Sequence, residues 1–324
     1  LAARGATLDG VDNWLNPTLK ALMPDPATLQ DMPAAAARLA DAIIGRQRIA
    51  VFGDYDVDGA CSSALMKRFF SAHGIDARIY IPDRITEGYG PNPAAINELI
   101  DGGAQLIVTV DCGTTSFDTL AIARGRGIDA IVIDHHQADA ALPPVHAVVN
   151  PNRQDDLSGL GHLCAAGVVF MVLVAVTREL RSRGHYTGDR REPPLLEWLD
   201  MVALATVCDV VPLAGLNRAY VVKGLQVLRS RNNRGLKALA DAAGLDQPPT
   251  PYHLGFVLGP RINAGGRIGD AALGAKLLSS DDPIETGRIA VLLDKLNKER
   301  KALETEILEA ATVRAATDVE ADPQ

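Results

Sequence analysis

The sequence predicts an α/β fold: a mainly parallel sheet flanked by helices, followed by a helical region and a long connector helix. Up to about residue 150, short runs rich in Val and Ile alternate with helix-like segments. Beyond residue 160 the pattern becomes helical, and from residue 283 charged residues alternate with regularly spaced Leu and Ile. We therefore expect one domain at 1–282, with an α/β part at 1–160 and a helical part at 161–282, and a connector helix at 283–324.

The predicted elements follow one another in a regular order. A helix at 34–44 precedes a strand at 48–52. Further strands are expected at 77–81, 106–110, 130–133 and 145–149, with helices at 60–73, 94–101 and 117–124. Apolar helices at 164–181 and 194–207, a proline-rich break at 246–252 and a long helix at 283–318 complete the chain. The candidate site residues fall just after strands, where open α/β sheets bind their ligands.

Composition excludes several classes of protein. Of the 324 residues, 47% are hydrophobic and 22% are charged, which is typical of a folded soluble protein and not of a disordered chain. No apolar run is long enough to cross a bilayer, so we expect no membrane partner and a cytoplasmic location. The net charge of −8 argues against a broadly basic nucleic-acid binder, although cations bound among clustered carboxylates would offset it.

The four cysteines, Cys61, Cys112, Cys164 and Cys208, are widely separated and form no CxxC pair. This spacing argues against a zinc ribbon or a disulfide framework and favours buried free thiols. Cys112 and Cys208 adjoin candidate metal ligands. Because neighbouring side chains of an extended strand end face opposite ways, we expect these two thiols to pack rather than to bind metal.

The segment GDYDVDG places Asp54, Asp56 and Asp58 at every second position. In an extended segment these carboxylates point to one side, and they repel one another unless a cation lies among them. Hard oxygen ligands suit Mg²⁺ or Mn²⁺. A calcium loop is disfavoured because the EF-hand pattern also needs a late Glu and flanking helices, whereas a solvated acidic turn stays open.

Three further segments carry polar side chains at the ends of apolar runs. LIVTVDCG contains Asp111, AIVIDHHQ contains Asp134 with His135 and His136, and ALATVCDVVPL contains Asp209. For Asp111, a role as a helix cap stays open. A buried carboxylate such as Asp209 needs a cation or hydrogen bonds. Because adjacent histidines on a strand point to opposite sides, we expect only one of the two to bind a given metal.

Together these residues suit two-metal hydrolysis of a phosphate ester. Asp111 is the natural carboxylate to bridge two cations. The cations would lower the pKa of a water between them and stabilise the charge that develops on the phosphate.

The motifs GDYDVDG, TVDCG, VIDHH and TVCDVVPL resemble those of the DHH phosphoesterase superfamily, and within it those of the RecJ family of bacterial exonucleases. Other segments resemble the RecJ family in matching order: NP at 16–17, LQDMP at 29–33, IPDRITEGYG at 81–90, HLCAAGVVF at 162–170 and GPRINAGGRIGDA at 259–271. The resemblance implies hydrolysis of single-stranded DNA from the 5′ end to 5′-mononucleotides, with two Mn²⁺ or Mg²⁺ ions, in DNA repair and recombination.

The resemblance also implies roles for individual residues. The implied metal ligands are Asp56, Asp58, Asp111, His135 and Asp209, and Asp54 of the same motif is added as a sixth candidate ligand. The implied catalytic residues are Asp111, His135 and His136, and His136 would contact the scissile phosphate. Phe52 stands where many DHH enzymes carry a histidine, so we expect one cation to be held less tightly.

Two segments outside the metal motifs are expected to contact DNA. Arg84 would bind the 5′-terminal phosphate, since its guanidinium matches phosphate geometry, although a surface salt bridge is the alternative. Tyr89 would stack on a base or serve only in packing. Asn263 and Arg267 lie in a Gly-rich segment, expected to be a loop, where Arg267 would bind phosphate and Arg261 would hold the loop.

The implied partner is single-stranded DNA with a 5′ end, and family resemblance adds single-stranded-DNA-binding protein and a RecQ-type helicase. The RecJ pattern continues into a DHH-associated domain and an oligonucleotide-binding barrel that this sequence does not show, which suggests a catalytic core fragment. One alternative keeps the chemistry and changes the substrate: an oligoribonuclease, a cyclic-dinucleotide hydrolase or a nucleotide phosphatase of the same superfamily. A non-enzymatic scaffold is disfavoured because every motif position is filled.

Overall fold

The computed structural model describes residues 10–321. Its strands are β1 Ile49–Gly53, β2 Arg78–Tyr80, β3 Leu106–Val110, β4 Asp129–Ile133 and β5 Ala147–Val149. Its α-helices are α1 Val11–Leu15, α2 Leu19–Leu22, α3 Met32–Ile44, α4 Val57–Ala72, α5 Pro93–Asp101, α6 Phe117–Gly125, α7 Ala165–Ser182, α8 Leu199–Cys208, α9 Gly215–Ser230, α10 Arg234–Ala242, α11 Gly259–Ile268, α12 Leu273–Ser279 and α13 Pro283–Ala321. The start of the predicted domain, 1–9, and the end of the predicted connector helix, 322–324, lie outside the described residues.

The five strands form one parallel sheet in the order β2-β1-β3-β4-β5. The chain moves from β1 to β2 on one side and from β3 to β4 on the other, so the strand order reverses between β1 and β3. Gly53 pairs with Val110, and Val110 pairs with Ile133, so these three strands end level with one another. The crevice at such a reversal is where open α/β sheets bind ligands.

Helices cover both faces of the sheet, which is why its strands read as continuous apolar runs. Phe52 and Val132 belong to the smaller apolar cluster, on the face of α5 and α6. Val51, Val108 and Ile131 belong to the larger cluster, which also contains residues of α3, α4 and α7. Successive strand residues face opposite ways, so each strand contributes to both clusters. The predicted α/β fold class is confirmed.

Beyond β5 the described chain is helical. The first half of α13 packs against α10, α11 and α12, whereas residues 301–312 are exposed. The helix continues to Ala321, beyond the predicted end at 318. The division at residue 282 stays a prediction. Among the described helices, none is both long and apolar enough to cross a membrane.

Candidate active site

The predicted ligands meet at the carboxyl edge of the sheet, beside the reversal of strand order. His135 lies at the centre of this arrangement. Its Nε2 atom is 3.3 Å from Asp111 Oδ1 and 3.8 Å from Asp58 Oδ2, and its Nδ1 atom is 3.7 Å from Asp209 Oδ2. One imidazole thus lies close to carboxylates from three separate segments of the chain.

The first acidic motif is not extended along its whole length, contrary to the expectation from its alternating pattern. Helix α4 begins at Val57, and Asp56 is its N-cap, whose Oδ1 accepts a hydrogen bond from the Gly59 amide at 3.0 Å. A side chain at Gly59 would lie 2.4 Å from the main-chain oxygen of Asp54, so the turn requires glycine. Asp is a preferred N-cap residue, and this capping ends the extended segment early.

Asp58 therefore lies in the first turn of α4 and is fully buried. Its two carboxylate oxygens accept hydrogen bonds from the amides of Ala165 at 2.6 Å and Ala166 at 2.8 Å. These amides form the N-terminus of α7, where the helix dipole favours a negative charge. The segment HLCAAGVVF thus fixes one carboxylate of the site from the opposite side.

Asp111 follows β3 directly and adopts a left-handed backbone conformation with φ of 60°. Asp enters this region more readily than most residues, and such strain concentrates at functional sites. Its amide donates to the Ile133 carbonyl at 3.0 Å, which continues the pairing of β3 with β4 for one more residue. The carboxylate is consequently turned at the end of the sheet, where it lies close to His135.

The DHH triplet is a loop wrapped around Asp134. One oxygen of this buried carboxylate accepts hydrogen bonds from the amides of His135 at 2.7 Å and His136 at 3.2 Å and from His136 Nδ1 at 2.8 Å. The other accepts from the Thr114 amide at 3.1 Å. Because β4 ends before the triplet, the two histidines do not face opposite ways as predicted, and their ring centroids lie 4.6 Å apart.

Sequence reasoning missed two asparagines that hold this loop. Asn150 Nδ2 donates to the His136 carbonyl at 2.9 Å, and Asn152 Nδ2 donates to the His135 carbonyl at 2.5 Å. Both lie in the NPN segment directly after β5. Their position at the same sheet edge as the acidic motifs was the signal that could have found them. Asp134 was likewise not among the predicted site residues, although it belongs to the triplet.

Asp209 is the C-cap of α8. The neighbouring Cys208 thiol donates to the Leu254 carbonyl at 3.4 Å, and the buried Cys112 thiol donates to the Val110 carbonyl at 3.4 Å. Both thiols therefore pack and form hydrogen bonds, as expected for residues next to a ligand rather than ligands themselves.

The geometry of the donor atoms fits divalent cations. Three groups of ligand atoms each lie within 4.8 Å of one another: Asp54–Asp56–Asp111, Asp58–His135–Asp209 and Asp111–His135–His136. Among the described residues, Asp54 Oδ1, Asp111 Oδ1 and Asp209 Oδ2 are buried without a hydrogen-bond partner. Such oxygens are costly unless a cation binds them, and oxygen with imidazole ligands suits Mg²⁺ or Mn²⁺. Asp111 and His135 each belong to two groups, so two neighbouring cations could share them.

Burial and mutual repulsion raise the pKa values of Asp54, Asp111 and Asp209. Burial, together with the charge of Asp56, raises the pKa of Asp54 to about 7 and that of Asp209 to about 6. Burial and the charge of Asp58 also raise the pKa of Asp111 well above its usual range. Several of these groups are therefore partly protonated near neutral pH unless a cation neutralises them.

The charge of Asp134 is stabilised instead. Burial alone would raise the pKa of Asp134. The hydrogen bond and charge of His136, together with the hydrogen bonds of Thr114, outweigh burial and lower this pKa to about 2. The same hydrogen bond raises the pKa of His136. The pair therefore favours a charged imidazolium at the rim of the site.

Arg84 and Tyr89 lie beside this rim. The Arg84 guanidinium lies 5.3 Å from the centroid of the Tyr55 ring and, within the described part of the chain, forms no ion pair with a carboxylate. The Tyr89 hydroxyl donates to the Asp111 carbonyl at 3.2 Å and lies 3.3 Å from His136 Nε2. Tyr89 is still 54% exposed, so its ring is both packed and accessible.

An internal hydrogen-bond network holds the loop that carries Arg84 and Tyr89. The Glu87 carboxylate accepts from the Tyr80 hydroxyl at 2.6 Å, the Asp83 amide at 2.7 Å and Asn92 Nδ2 at 3.2 Å. These hydrogen bonds give the loop a defined shape.

The Gly-rich segment predicted as a loop is helix α11. Its glycines allow close contact with the protein itself: a side chain at Gly259 would lie 2.3 Å from Cys208 Sγ, and one at Gly266 would lie 2.5 Å from the Tyr55 carbonyl. The helix thus bridges the segments that carry Asp209 and the first acidic motif. The prediction was wrong because glycine at a helix–backbone contact gives the same composition as glycine in a loop.

The three polar residues predicted on this segment have different surroundings. Asn263 lies on the helix face of Gly259 and Gly266, and its Oδ1 atom is buried without a hydrogen-bond partner. Arg267 is exposed. Arg261 bonds Asp294 Oδ1 at 2.9 Å and the Val257 carbonyl at 2.6 Å, so it holds α11 to α13.

Comparison with known proteins gives a consistent result. The family described as "DHH family, N-terminal domain" matches residues 48–206. The chain is 37% identical over 293 residues to the single-stranded-DNA-specific exonuclease RecJ of Haemophilus influenzae, covering 90% of this chain and 51% of that protein. It is 42% identical over 261 residues to the RecJ exonuclease of Salmonella typhimurium, covering 79% of this chain and 45% of that protein. The chain thus spans about half the length of these curated relatives.

Two solved structures have the same fold. The first is a crystal structure of an exonuclease RecJ bound to manganese, whose sequence is 36% identical to this chain and whose TM-score is 0.78. The match covers 87% of this chain and 69% of the chain in that structure. The RecJ of Thermus thermophilus in complex with Mn²⁺ is 34% identical, with a TM-score of 0.77, and covers 91% of this chain and 41% of that chain.

Proposed function

The chain belongs to the RecJ family of DHH proteins, and we propose on that basis that it hydrolyses single-stranded DNA from the 5′ end and releases 5′-mononucleotides. One observation carries the proposal: three groups of carboxylate and imidazole atoms lie at the sheet edge, and Asp111 and His135 each belong to two of them. Overlapping groups of this kind suit two neighbouring cations, which is the arrangement used for phosphodiester hydrolysis.

We propose Mn²⁺ or Mg²⁺ as the two cations. The Asp54–Asp56–Asp111 and Asp58–His135–Asp209 groups would hold them, and the two groups are linked because Asp111 and His135 also belong to a common third group. The bound cations would supply a water of lowered pKa and neutralise charge on the phosphate.

The protein's own side chains would orient the substrate. His136, whose pKa is raised by its hydrogen bond to Asp134, would contact the scissile phosphate. Tyr89 would limit the movement of this imidazole, because its hydroxyl lies within 3.4 Å of both ring nitrogens. Arg84, which lacks a carboxylate partner among the described residues, would bind the 5′-terminal phosphate, and Arg267 a phosphate further along the strand.

The test is a substrate panel with chelated and metal-loaded protein. We expect 5′-phosphorylated single-stranded DNA to yield 5′-mononucleotides with Mn²⁺ or Mg²⁺ and not with EDTA. Asp111→Asn should abolish this activity, whereas Asp118→Asn, which removes an exposed carboxylate on α6, should not. Full activity in Asp111→Asn would overturn the proposal. Preference for dinucleotides or nucleoside phosphates over long strands would favour the alternative substrates of the superfamily.

The cellular setting is also a proposal. We propose a cytoplasmic site of action during DNA repair and recombination, and the relatives named for action on single-stranded DNA support the DNA substrate that this setting requires. Single-stranded-DNA-binding protein and a RecQ-type helicase are the partners to test, by co-purification with this chain and with a longer form that includes the remaining length of the relatives.

A further inference from the structure

An exposed pair of aromatic rings lies outside the site described above. Tyr252 and Phe256 are 63% and 68% exposed. Their ring centroids lie 5.1 Å apart with an angle of 23° between the ring planes, so the two rings are stacked on one another. The other stacked pair in the described part of the chain, Phe52 with Tyr80, includes a fully buried ring. Large aromatic side chains exposed together on a protein surface usually mark a binding site.

The pair lies at the start of a helical segment beside the active site. Tyr252 directly precedes the π-helical turn His253–Leu258, Phe256 lies within that turn, and α11 follows it directly. Its glycines contact Cys208, next to Asp209, and the carbonyl of Tyr55, between Asp54 and Asp56. The two aromatic rings therefore belong to the same helical segment that packs against two of the acidic motifs.

Helical spacing links the aromatic pair to a basic residue near the site. Phe256 and Arg267 are both exposed and are eleven residues apart, about three helical turns, which keeps them on one side of the segment. From Phe256 to Arg267 the segment rises about 16 Å at the usual helical rise per residue. An extended ligand lying along this side would meet the aromatic rings first and then the guanidinium of Arg267.

The platform is fixed to the protein beneath it. The Thr250 amide donates to His253 Nδ1 at 3.0 Å, which holds the start of the segment. The Leu254 side chain is fully buried, and its carbonyl accepts from the Cys208 thiol at 3.4 Å. The turn itself is π-helical. π-Helical turns are rare in proteins, and those that occur are often found at functional sites. The rings are thus presented by an anchored backbone rather than by a free loop.

We propose that Tyr252 and Phe256 form a stacking platform for a base of the single-stranded nucleic acid whose phosphates bind at the metal site. The inference rests on the proposed function and deepens it, since it assigns a base contact outside the catalytic motifs. Aromatic stacking suits this task because every base has a flat face, so a strand of any sequence can be held. The phosphate contact expected from Arg267 on the same side makes a nucleic-acid strand a better occupant than an apolar peptide.

Binding measured without hydrolysis tests the platform directly. A 5′-phosphorylated oligodeoxynucleotide with a 3′ fluorophore is titrated with the protein in EDTA, and anisotropy is recorded. Phe256→Ser should weaken binding about 10-fold, the size of one lost base stack. Phe256→Tyr should bind like the unaltered protein. Ile284→Ser, which removes an 81% exposed apolar side chain on α13, is the matched control and should also bind normally.

A strand with successive abasic positions provides the decisive comparison. If a base stacks on the platform, some abasic position should weaken binding to the unaltered protein about 10-fold and leave binding to Phe256→Ser unchanged. Equal affinity of Phe256→Ser and the unaltered protein for the intact strand would overturn the inference, as would equal effects of every abasic position on both. A different pair of results would separate this inference from the proposed function. If the binding data match these expectations but the protein does not hydrolyse the strand with Mn²⁺, the proposed function is wrong and the stacking platform is retained.

Discussion

Replacing Asp134 by Asn should separate the geometry of the DHH loop from its charge. One carboxylate oxygen of Asp134 accepts three hydrogen bonds from His135 and His136, and the other accepts one from the Thr114 amide. An asparagine can keep an oxygen facing the three donors of His135 and His136 only if its own N–H₂ group faces the Thr114 amide, which is also a donor. A buried donor left without a partner costs about 1–3 kcal/mol, so the free energy of unfolding should fall by that amount.

The catalytic effect follows from the loss of charge. The hydrogen bond from His136 to the carboxylate raises the pKa of this imidazole, so Asp134→Asn should lower that pKa and leave less imidazolium to contact phosphate. Carboxylate partners of metal-ligating histidines contribute about 10- to 100-fold to activity, and we expect an effect of the same size for a histidine that contacts phosphate. We therefore expect kcat for 5′-phosphorylated single-stranded DNA to fall within that range, and the alkaline limb of its pH profile to move to lower pH.

A double-mutant cycle decides whether Asp134 acts through His136. If it does, Asp134→Asn combined with His136→Gln should be no slower than His136→Gln alone, whereas independent effects would multiply. Asp129→Asn at the other end of β4, where the carboxylate pairs with Arg38, is the control and should leave kcat unchanged. Multiplying effects, or an unshifted pH profile in Asp134→Asn, would refute the reasoning.

Three further predictions concern metal binding, helix packing and the substrate loop. Because the pKa of Asp54 is about 7 and that of Asp209 about 6, cation binding at pH 6 should release protons that are already lost at pH 8, as calorimetry in two buffers of different ionisation enthalpy can measure. Gly266→Ala should lower hydrolysis of single-stranded DNA by about 10-fold or more, because the added methyl group would meet the main-chain carbonyl of Tyr55. Gly287→Ala on α13 is the control: its methyl group has open space, so urea denaturation should show a fold that is more stable by about 0.5–1 kcal/mol. Glu87→Gln should raise KM for 5′-phosphorylated strands more than for 5′-hydroxyl strands, and equal changes for both would argue against its role in holding the loop.

The sheet and the meeting of the motifs could be predicted because both follow from local patterns. Apolar runs such as 106–110 specify buried strands without reference to the rest of the chain. Once the strands are parallel, their carboxyl ends share an edge, which brings Asp54, Asp111 and His135 together. The roles assigned to individual ligands stay predictions, because the arrangement of donor atoms does not by itself establish which residue binds which cation.

The remaining features depended on contacts distant in sequence. Asp58 is held by the N-terminus of α7, more than 100 residues away, so no local pattern could reveal that its two oxygens have defined partners. Gly266 was read as part of a loop because the Tyr55 carbonyl that it contacts comes from the far end of the domain. Asp134 was overlooked because its hydrogen bonds form only when the chain leaves β4 and turns back on itself.

The structure explains how a cluster of mutually repelling carboxylates can be held ready for cations. The backbone amides of α4 and α7 donate to Asp56 and Asp58, so hydrogen bonds from the protein itself orient these two side chains. Asp111 and Asp209 have buried oxygens without hydrogen-bond partners, and their pKa values are raised, so their charges are stabilised only when a cation binds. On the proposed function, the helix N-termini would fix the position of part of the ligand set, and the carboxylates without hydrogen-bond partners would supply affinity for the cations. A cation that binds only the folded chain would stabilise it by mass action, by about 2.7 kcal/mol at a hundred times Kd, so metal occupancy would be coupled to the stability of the fold.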